Sequence, residues 1–172
     1  MDTHIEPRAF REVMGRFATG VTVVTYTSEG EARGMTANAF MSVSLDPPLA
    51  LIGVRRASRF ATAVVVGDRF GVSFLPESQR GLSNHFGGRP IADLPHPFET
   101  AAGLPMVRGA LARLAMRTVA VHEAGDHLLY VGQVEHLGLG EERQPLVFYG
   151  GTYKRVHAHE PPALSWAADD GW

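Results

Sequence analysis

The stretch GMTANAFMSVSLDPP, residues 34–48, places small and polar side chains where a barrel strand is expected. Thr36 and Asn38 fall on one face of an extended chain, and Ala37 and Ala39 fall on the other. A central strand usually carries larger apolar residues, because burial of apolar area stabilises the fold. The stretch therefore indicates either a β-bulge at a barrel corner or a backbone against which a ligand lies.

The composition predicts one globular domain. The chain has 172 residues, 45% of them apolar and 20% charged, with a formal net charge of −2. No basic block is present, so a nucleic-acid partner is not expected. The absence of cysteine excludes disulfides and thiolate chemistry. The N-terminal segment is charged and lacks an apolar signal core, and no apolar run has the length of a membrane span. We therefore expect a cytoplasmic protein that does not contact membranes.

Hydrophobic periodicity predicts short strands joined by turns and a few short helices. Strands are predicted at 21–27, 34–45, 49–54, 69–75, 110–124, 127–140 and 145–156, and helices at 8–18, 58–68 and 76–86. The second strand is expected to be irregular near Ala37–Ala39, and the last to have a kink at Gly150–Gly151. The first half of 110–124 also has helical periodicity. Residues 49–54 do not alternate, which predicts burial on both faces, and residues 87–105 are expected to be a loop. Gly125-Asp126 is the strongest hairpin signal. Together these elements predict an antiparallel barrel or sandwich.

Several common site motifs are absent from the sequence. It contains no G-x-G-x-x-G after a strand, no Walker lysine loop and no G-x-S-x-G elbow. Eight histidines are present, of which His157 and His159 are two residues apart. None has the ligand spacing of a zinc site, so no metal is expected.

Two further clusters contain residues that could bind a ligand. The first, RRASR at 55–59, opens a predicted helix. Ser58 suits its N-cap, and Arg55 and Arg59 beside unpaired N–H groups suit a phosphate. An ordinary N-cap with solvated arginines explains the same residues. The second is GDH, in which His127 follows the turn. Its imidazole could stack on or hydrogen-bond to a ligand, or it could be a rim histidine without a role.

Five segments in this order resemble one known family: FREVMGRFATGVTVVT, GMTANAFMSVSLDPPLALI, LSNHF, AGDHLLYVGQV and PLVFYGGTY. They resemble the flavin reductase-like family of FMN-binding split barrels. More narrowly, they resemble the small reductase components of two-component aromatic monooxygenases that act on phenol or 4-hydroxyphenylacetate. The resemblance covers about residues 8–156. It implies a mainly β, six-stranded antiparallel Greek-key split barrel with short helices at 1–157, a C-terminal tail at 158–172, and a homodimer.

The same resemblance implies a set of site residues. FAD or FMN would lie against 36–43, with its ring system contacted by the backbone of Ala37, Asn38 and Ala39 and lined by Thr36, Phe40, Ser42 and Val43. The flavin phosphate would be held by Ala57, Ser58 and Arg59, Phe86 would border the site, His127 would contact and position the nicotinamide nucleotide, and Tyr153 would help close that pocket. Many relatives have serine at position 39 and threonine at position 60. Phe60 could therefore reshape the phosphate end, which leaves the choice between FAD and FMN open.

The implied activity is hydride transfer from NADH or NADPH to FAD or FMN, with the reduced flavin passed to a separate monooxygenase. No protein acid or nucleophile is required, because the cofactors supply the chemistry. Arg55 or Arg56 could meet a 2′-phosphate, so the choice of nicotinamide nucleotide stays open. The alternatives are another split-barrel flavin enzyme, such as a pyridoxamine phosphate oxidase or a deazaflavin-dependent enzyme, a non-catalytic flavin-binding protein, and a ligand-free β-barrel.

Overall fold

The computed structural model of this chain describes residues 5–156, and most of them lie in strands. The three helices are α1 (Pro7–Met14), α2 (Arg59–Ala63) and α3 (Arg80–Phe86), and a 3₁₀ turn at Glu77–Gln79 leads into α3. The strands are β1 (Thr19–Gly20), β2 (Thr22–Ser28), β3 (Glu31–Ala37), β4 (Phe40–Leu45), β5 (Pro48–Arg55), β6 (Arg69–Phe74), β7 (Phe98–Ala101), β8 (Leu104–Val107), β9 (Ala112–Ala124), β10 (His127–Leu139), β11 (Val147–Tyr149) and β12 (Thr152–Lys154).

The principal sheet curls into a split barrel. Its seven strands run in the order β3-β2-β6-β9-β10-β5-β4, and every pairing is antiparallel. In a flat sheet the two edge strands would lie about 29 Å apart. The chain joins β3 to β4 through Asn38 and Ala39 alone, a link that spans at most about 11 Å. The two edges must therefore approach each other, and the mainly β, antiparallel barrel prediction is confirmed, with seven strands in this sheet.

Phe60 stands at the centre of the barrel core. Phe60 is the second residue of α2, and its side chain is 1% exposed. Its ring meets those of Tyr26, Phe70 and Tyr130 edge to face, with centroids 5.2, 5.5 and 5.0 Å away. Such contacts add to the free energy gained by burial of the aromatic area. Helix α2 is therefore fixed to one end of the barrel through this ring.

A second apolar cluster lies outside the barrel, under α3. Val23 of β2, Leu75 and Leu146 are buried there, and the rings of Phe86 and Tyr153 pack against them. The small sheets β7-β8 and β1-β11-β12 surround this cluster. This outer layer holds α3 against β3, beside the link at 38–39.

The structure confirms the type of most predicted elements. The ambiguous segment 110–124 is strand, paired with β10 around the turn at Gly125-Asp126. The helices predicted at 8–18 and 58–68 are shorter, since α1 ends at Met14 and α2 at Ala63. Residues 49–54 are buried on one face only. Ala50, Ile52 and Val54 are buried on that face, and the residues that alternate with them on the other face are half-exposed.

Two predicted elements are wrong. Residues 87–105 contain strand β7 and the start of β8, a hairpin whose turn is at Ala102 and Gly103. Residues 145–156 form a hairpin in place of a single strand, because Gly150 and Gly151 both adopt positive φ and reverse the chain. The predicted tail at 158–172 lies outside the described residues. No helix within residues 5–156 has the length and apolar character needed to cross a membrane.

Candidate functional site

Strand β5 brings the three sequence clusters together at one end of the barrel. The backbone N–H of Gly53 donates to the carbonyl oxygen of Ala39 at 2.9 Å. Two residues further along β5, Arg55 pairs with His127, the first residue of β10. Helix α2 begins soon afterwards at Arg59. Because residues on a strand advance about 3.3 Å each, the 38–39 link, the hairpin histidine and the start of α2 are close neighbours.

The link itself combines a sharp bend with exposed backbone. Asn38 and Ala39 belong to no strand, and both are exposed. Neither residue donates a backbone hydrogen bond to another described residue. A Cβ added to Gly53 would lie 3.1 Å from the Cβ of Ala39, so both positions must be small where the two segments cross. The bend and the ligand-facing backbone are therefore compatible interpretations of one feature.

The side chains next to the link are already occupied by protein contacts. Thr36 Oγ1 donates to the carbonyl oxygen of Ser83 at 2.7 Å. The carbonyl of Ala37 accepts from Thr22 Oγ1 at 2.7 Å, and the Ala37 methyl group packs against the barrel core. Thr36 and Ala37 therefore offer a ligand their backbone edge and not an uncommitted side chain.

Strand β4 continues this surface. Phe40 is half-buried, with its ring edge-on to Phe74 at 5.1 Å. Ser42 and Val43 are exposed, and the register of β4 against β5 shifts between residues 42 and 44. The irregularity predicted within this segment therefore includes a β-bulge at Val43 in addition to the break at 38–39.

An apolar groove of about 770 Å³ runs along the link. Asn38, Ala39 and Phe40 form part of its wall. Other apolar lining side chains come from α1 and its C-terminal flank, from β4, and from the outer faces of β5 and β10: Phe10, Met14, Phe17, Met41, Leu51 and Leu129. A groove of this size and character suits a flat aromatic ligand. The sequence did not single out Leu51, Gly53 or Leu129. Their alternation with buried residues of β5 and β10 is the signal that would have found them.

The segment between β5 and α2 contacts the β9-β10 turn. The backbone N–H of Arg56 donates to the carbonyl of Asp126 at 3.0 Å, and its guanidinium contacts Gly125 O at 3.2 Å and Glu123 at 3.1 Å. Ser58 caps α2 as predicted, accepting from the backbone N–H of Ala61 at 3.1 Å. The contact of this turn with residue 56 therefore fixes His127 beside the RRASR cluster.

The cationic side chains of this cluster differ in their availability. Ala57 and Arg59 are exposed, and neither Arg59 nor Arg55 forms an ion pair with another described residue. Arg56 is already committed to its carboxylate partner. Because α2 has only five residues, the helix dipole is weaker than the sequence argument assumed. The attraction for an anion therefore comes mainly from the two available guanidinium groups.

His127 is oriented by its neighbour Asp126. Its Nδ1 lies 2.8 Å from Asp126 Oδ1, and its side chain is 39% exposed. The hydrogen bond from His127, together with the charge on that ring, holds the pKa of the Asp126 carboxyl below its usual value. Asp126 is therefore ionised at neutral pH. Because a carboxylate only accepts hydrogen bonds, it favours the tautomer of His127 that carries a proton on Nδ1.

Phe86 and Tyr153 lie in the outer layer and do not line the groove. The Phe86 ring stacks on Phe98 with centroids 5.4 Å apart. The Tyr153 phenol contacts the Ser83 hydroxyl at 2.8 Å. Tyr153 is connected to the groove through Phe148, a lining residue whose ring centroid lies 5.6 Å from its own, and Phe86 packs against Gly34 of β3. Ser83 belongs to the LSNHF segment but was not predicted.

The expectation that Phe60 reshapes the phosphate end is wrong, because its ring points into the barrel core and is 1% exposed. Within residues 5–156, no group of three or more histidine and carboxylate side chains is arranged to hold a metal ion. His157 and His159 lie outside the described residues.

Comparison with known proteins gives consistent matches over most of the chain. The family described as flavin reductase like domain matches residues 14–157. The reductase component of 4-hydroxyphenylacetate 3-monooxygenase from Thermus thermophilus is 43% identical, covering 86% of this chain and 95% of that protein. An NADH-dependent flavin reductase from a Rhodococcus species is 41% identical, covering 91% and 90%. The NADH:FAD oxidoreductase SgcE6 of Streptomyces globisporus, solved with NAD and FAD fragments, is 33% identical, with a TM-score of 0.80 and coverage of 92% and 99%.

Proposed function

This chain belongs to the flavin reductase-like family, and from that premise we propose that it transfers hydride from NADH to a flavin. The observation that carries the proposal is the convergence of three clusters on β5: the exposed link at 38–39, the start of α2 and His127. Each cluster alone has a purely structural explanation. Their assembly beside one apolar groove supports a common ligand with a flat ring and an anionic group.

The groove fits a flavin by size and by chemistry. Its floor is apolar, and the N–H groups of Asn38 and Ala39 have no acceptor among the described residues. Those donors would face the flavin pyrimidine ring, which gains negative charge on reduction, and would stabilise that charge. Ala39 and Gly53 leave room for the ring, and Thr36, Ala37, Phe40, Ser42 and Val43 would complete the lining. The flavin supplies the redox chemistry, accepting two electrons and one proton as hydride while the donor leaves as NAD⁺.

Ala57, Ser58 and Arg59 would hold the flavin phosphate. Ser58 Oγ accepts from Ala61, which leaves its own proton available to a phosphate oxygen. Arg59 adds a charge-assisted hydrogen bond. Both FMN and FAD carry this phosphate, so the geometry is compatible with either flavin.

NADH is the proposed hydride donor. The curated relatives include NADH-dependent reductases. Of the two candidates for contact with the 2′-phosphate of NADPH, Arg56 is paired with Glu123 and Arg55 is available, so the proposal of NADH rests on the relatives. His127 would contact the nicotinamide nucleotide and position it, while Tyr153 and Phe86 would form its outer border.

A homodimer is part of the proposal. Large apolar side chains are exposed on α1 and its flank and along edge strand β4: Phe10, Val13, Met14, Phe17, Met41, Val43 and Leu45. Exposed apolar surface of this extent is typical of an interface. This surface also borders the groove, so a second copy would enclose the flavin.

We further propose that the reduced flavin leaves for a separate monooxygenase component, as the names of several relatives suggest. An open groove, without a covalent attachment residue such as cysteine, supports release of the flavin. The domain at 1–157, the tail at 158–172 and a cytoplasmic location stay predictions.

The test is to mix the protein with FMN or FAD and with NADH or NADPH, and to follow the nicotinamide absorbance. We expect NADH oxidation that requires added flavin. A protein that binds flavin but oxidises neither nucleotide would be a flavin carrier. Turnover only with pyridoxamine phosphate or a deazaflavin would assign it to another branch of the split-barrel fold.

A further inference from the structure

Three residues on one face of α3 hold the ring of Tyr153. Arg80, Ser83 and Asn84 share that face, because residues three and four apart in a helix are neighbours. The Arg80 guanidinium lies 5.3 Å from the ring centroid, and the phenol lies 2.8 Å from Ser83 Oγ and 3.3 Å from Asn84 Oδ1. A phenol has one proton to donate. Since Asn84 Oδ1 accepts it, the Ser83 hydroxyl donates to the Tyr153 oxygen.

Ser83 also binds strand β3, which carries the start of the proposed flavin segment. It is fully buried, and its carbonyl oxygen accepts from Thr36 Oγ1 at 2.7 Å as well as from the backbone N–H of Gly87 at 2.9 Å. Thr36 begins the segment proposed to bind flavin, and Tyr153 is the residue proposed to border the nicotinamide nucleotide. One serine therefore connects β3, which carries Thr36, with β12, which carries Tyr153.

We propose that Ser83 is a positioning residue for hydride transfer. Its carbonyl fixes the flavin-side strand through Thr36, and its hydroxyl fixes Tyr153. This inference rests on the proposed function. Hydride transfer needs donor and acceptor atoms within about 3–3.5 Å and in line. Loss of the hydroxyl therefore weakens productive nicotinamide binding and leaves flavin binding intact.

The hydroxyl bond of Ser83 to Tyr153 and its carbonyl bond to Thr36 can be removed separately. Ser83→Ala deletes the hydroxyl but keeps the carbonyl bond to Thr36. We expect it to raise the KM for NADH about fivefold, as loss of one hydrogen bond does, with the Kd for flavin within about twofold of the wild type. Tyr153→Phe should raise the same KM, and the double variant should be no worse than Tyr153→Phe alone, because both changes remove one shared bond. Thr36→Val should raise the flavin Kd and leave the KM for NADH unchanged.

Ser73→Ala is the matched control. Ser73 is equally buried, its hydroxyl accepts from the backbone N–H of Val107 at 3.0 Å, and neither residue belongs to the proposed site. If Ser83→Ala and Ser73→Ala lower the thermal midpoint alike and both keep the wild-type KM, Ser83 is only structural and the proposal is overturned.

Two further outcomes keep the inference testable. If Ser83→Ala does not fold, Tyr153→Phe decides: a raised KM for NADH with unchanged flavin Kd supports the inference, and an unchanged KM overturns it. A wild-type protein that oxidises no NADH in the presence of flavin refutes the proposed function and this inference together. Normal wild-type turnover with an unchanged KM in the variants refutes this inference alone.

Discussion

Replacement of His127 by alanine tests the proposed nicotinamide contact. The imidazole is oriented by Asp126 at 2.8 Å and is 39% exposed. A hydrogen bond from such a partly exposed group to a ligand is worth about 1.4 kcal/mol, or about tenfold in binding. We therefore expect the KM for NADH to rise about tenfold, while kcat falls by less than about threefold because the reacting atoms belong to the cofactors.

The assay is steady-state NADH oxidation at saturating flavin, from pH 5 to pH 8. Because the pKa of Asp126 is lowered, its contribution is present at neutral pH and is lost only as the pH falls through that lowered pKa. Ionisation of Asp126 should therefore add no change in KM across this range. His136→Ala, at the far end of β10, is the control and should behave as the wild type. An unchanged KM in His127→Ala, or an equal rise in His136→Ala, would refute the assigned role.

Two further predictions concern the core that supports the site. Phe60→Leu removes three edge-to-face contacts, worth about 0.5–1.5 kcal/mol each, so urea denaturation should give a free energy of unfolding lower by at least about 1.5 kcal/mol. The ratio of FAD to FMN affinity should not change, and a changed ratio would contradict the core position of Phe60. Burial raises the pKa of Tyr26 and Tyr130 above 10.0. Their stabilisation is complete below about pH 10 and lost as the pH rises through the folded-state values. Fluorescence-monitored unfolding should therefore begin only in alkaline solution and be less pH-dependent in Tyr130→Phe.

The sequence predicted the barrel well because its strands have strong local signals. The Gly125-Asp126 turn sets the β9-β10 register, and β-branched residues mark β2. The β7-β8 hairpin was missed because its strands are four residues each, too short for a clear hydrophobic periodicity. Short elements of this kind are stabilised by tertiary packing, which no local pattern reports.

The candidate site was predictable in part. The structure brings Asn38, Ser58 and His127 close to strand β5, and their binding of flavin and nicotinamide stays a prediction. Phe60 was misjudged because Arg59 beside it is exposed while its own ring enters the core. Ser83 was missed because its partners, Thr36 and Tyr153, are 47 and 70 residues away.

The flavin affinity of an Ala39→Leu variant tests the central claim most directly. Gly53 blocks one side of position 39, so a larger side chain must project into the groove. Ala32→Leu, an exposed alanine on the same β3-link-β4 segment, is the control. Fluorescence titration with FMN and FAD should give a Kd raised at least about tenfold for Ala39→Leu, a loss of about 1.4 kcal/mol or more, and a wild-type Kd for Ala32→Leu. Wild-type affinity in a folded Ala39→Leu protein would contradict the placement of the flavin at this link.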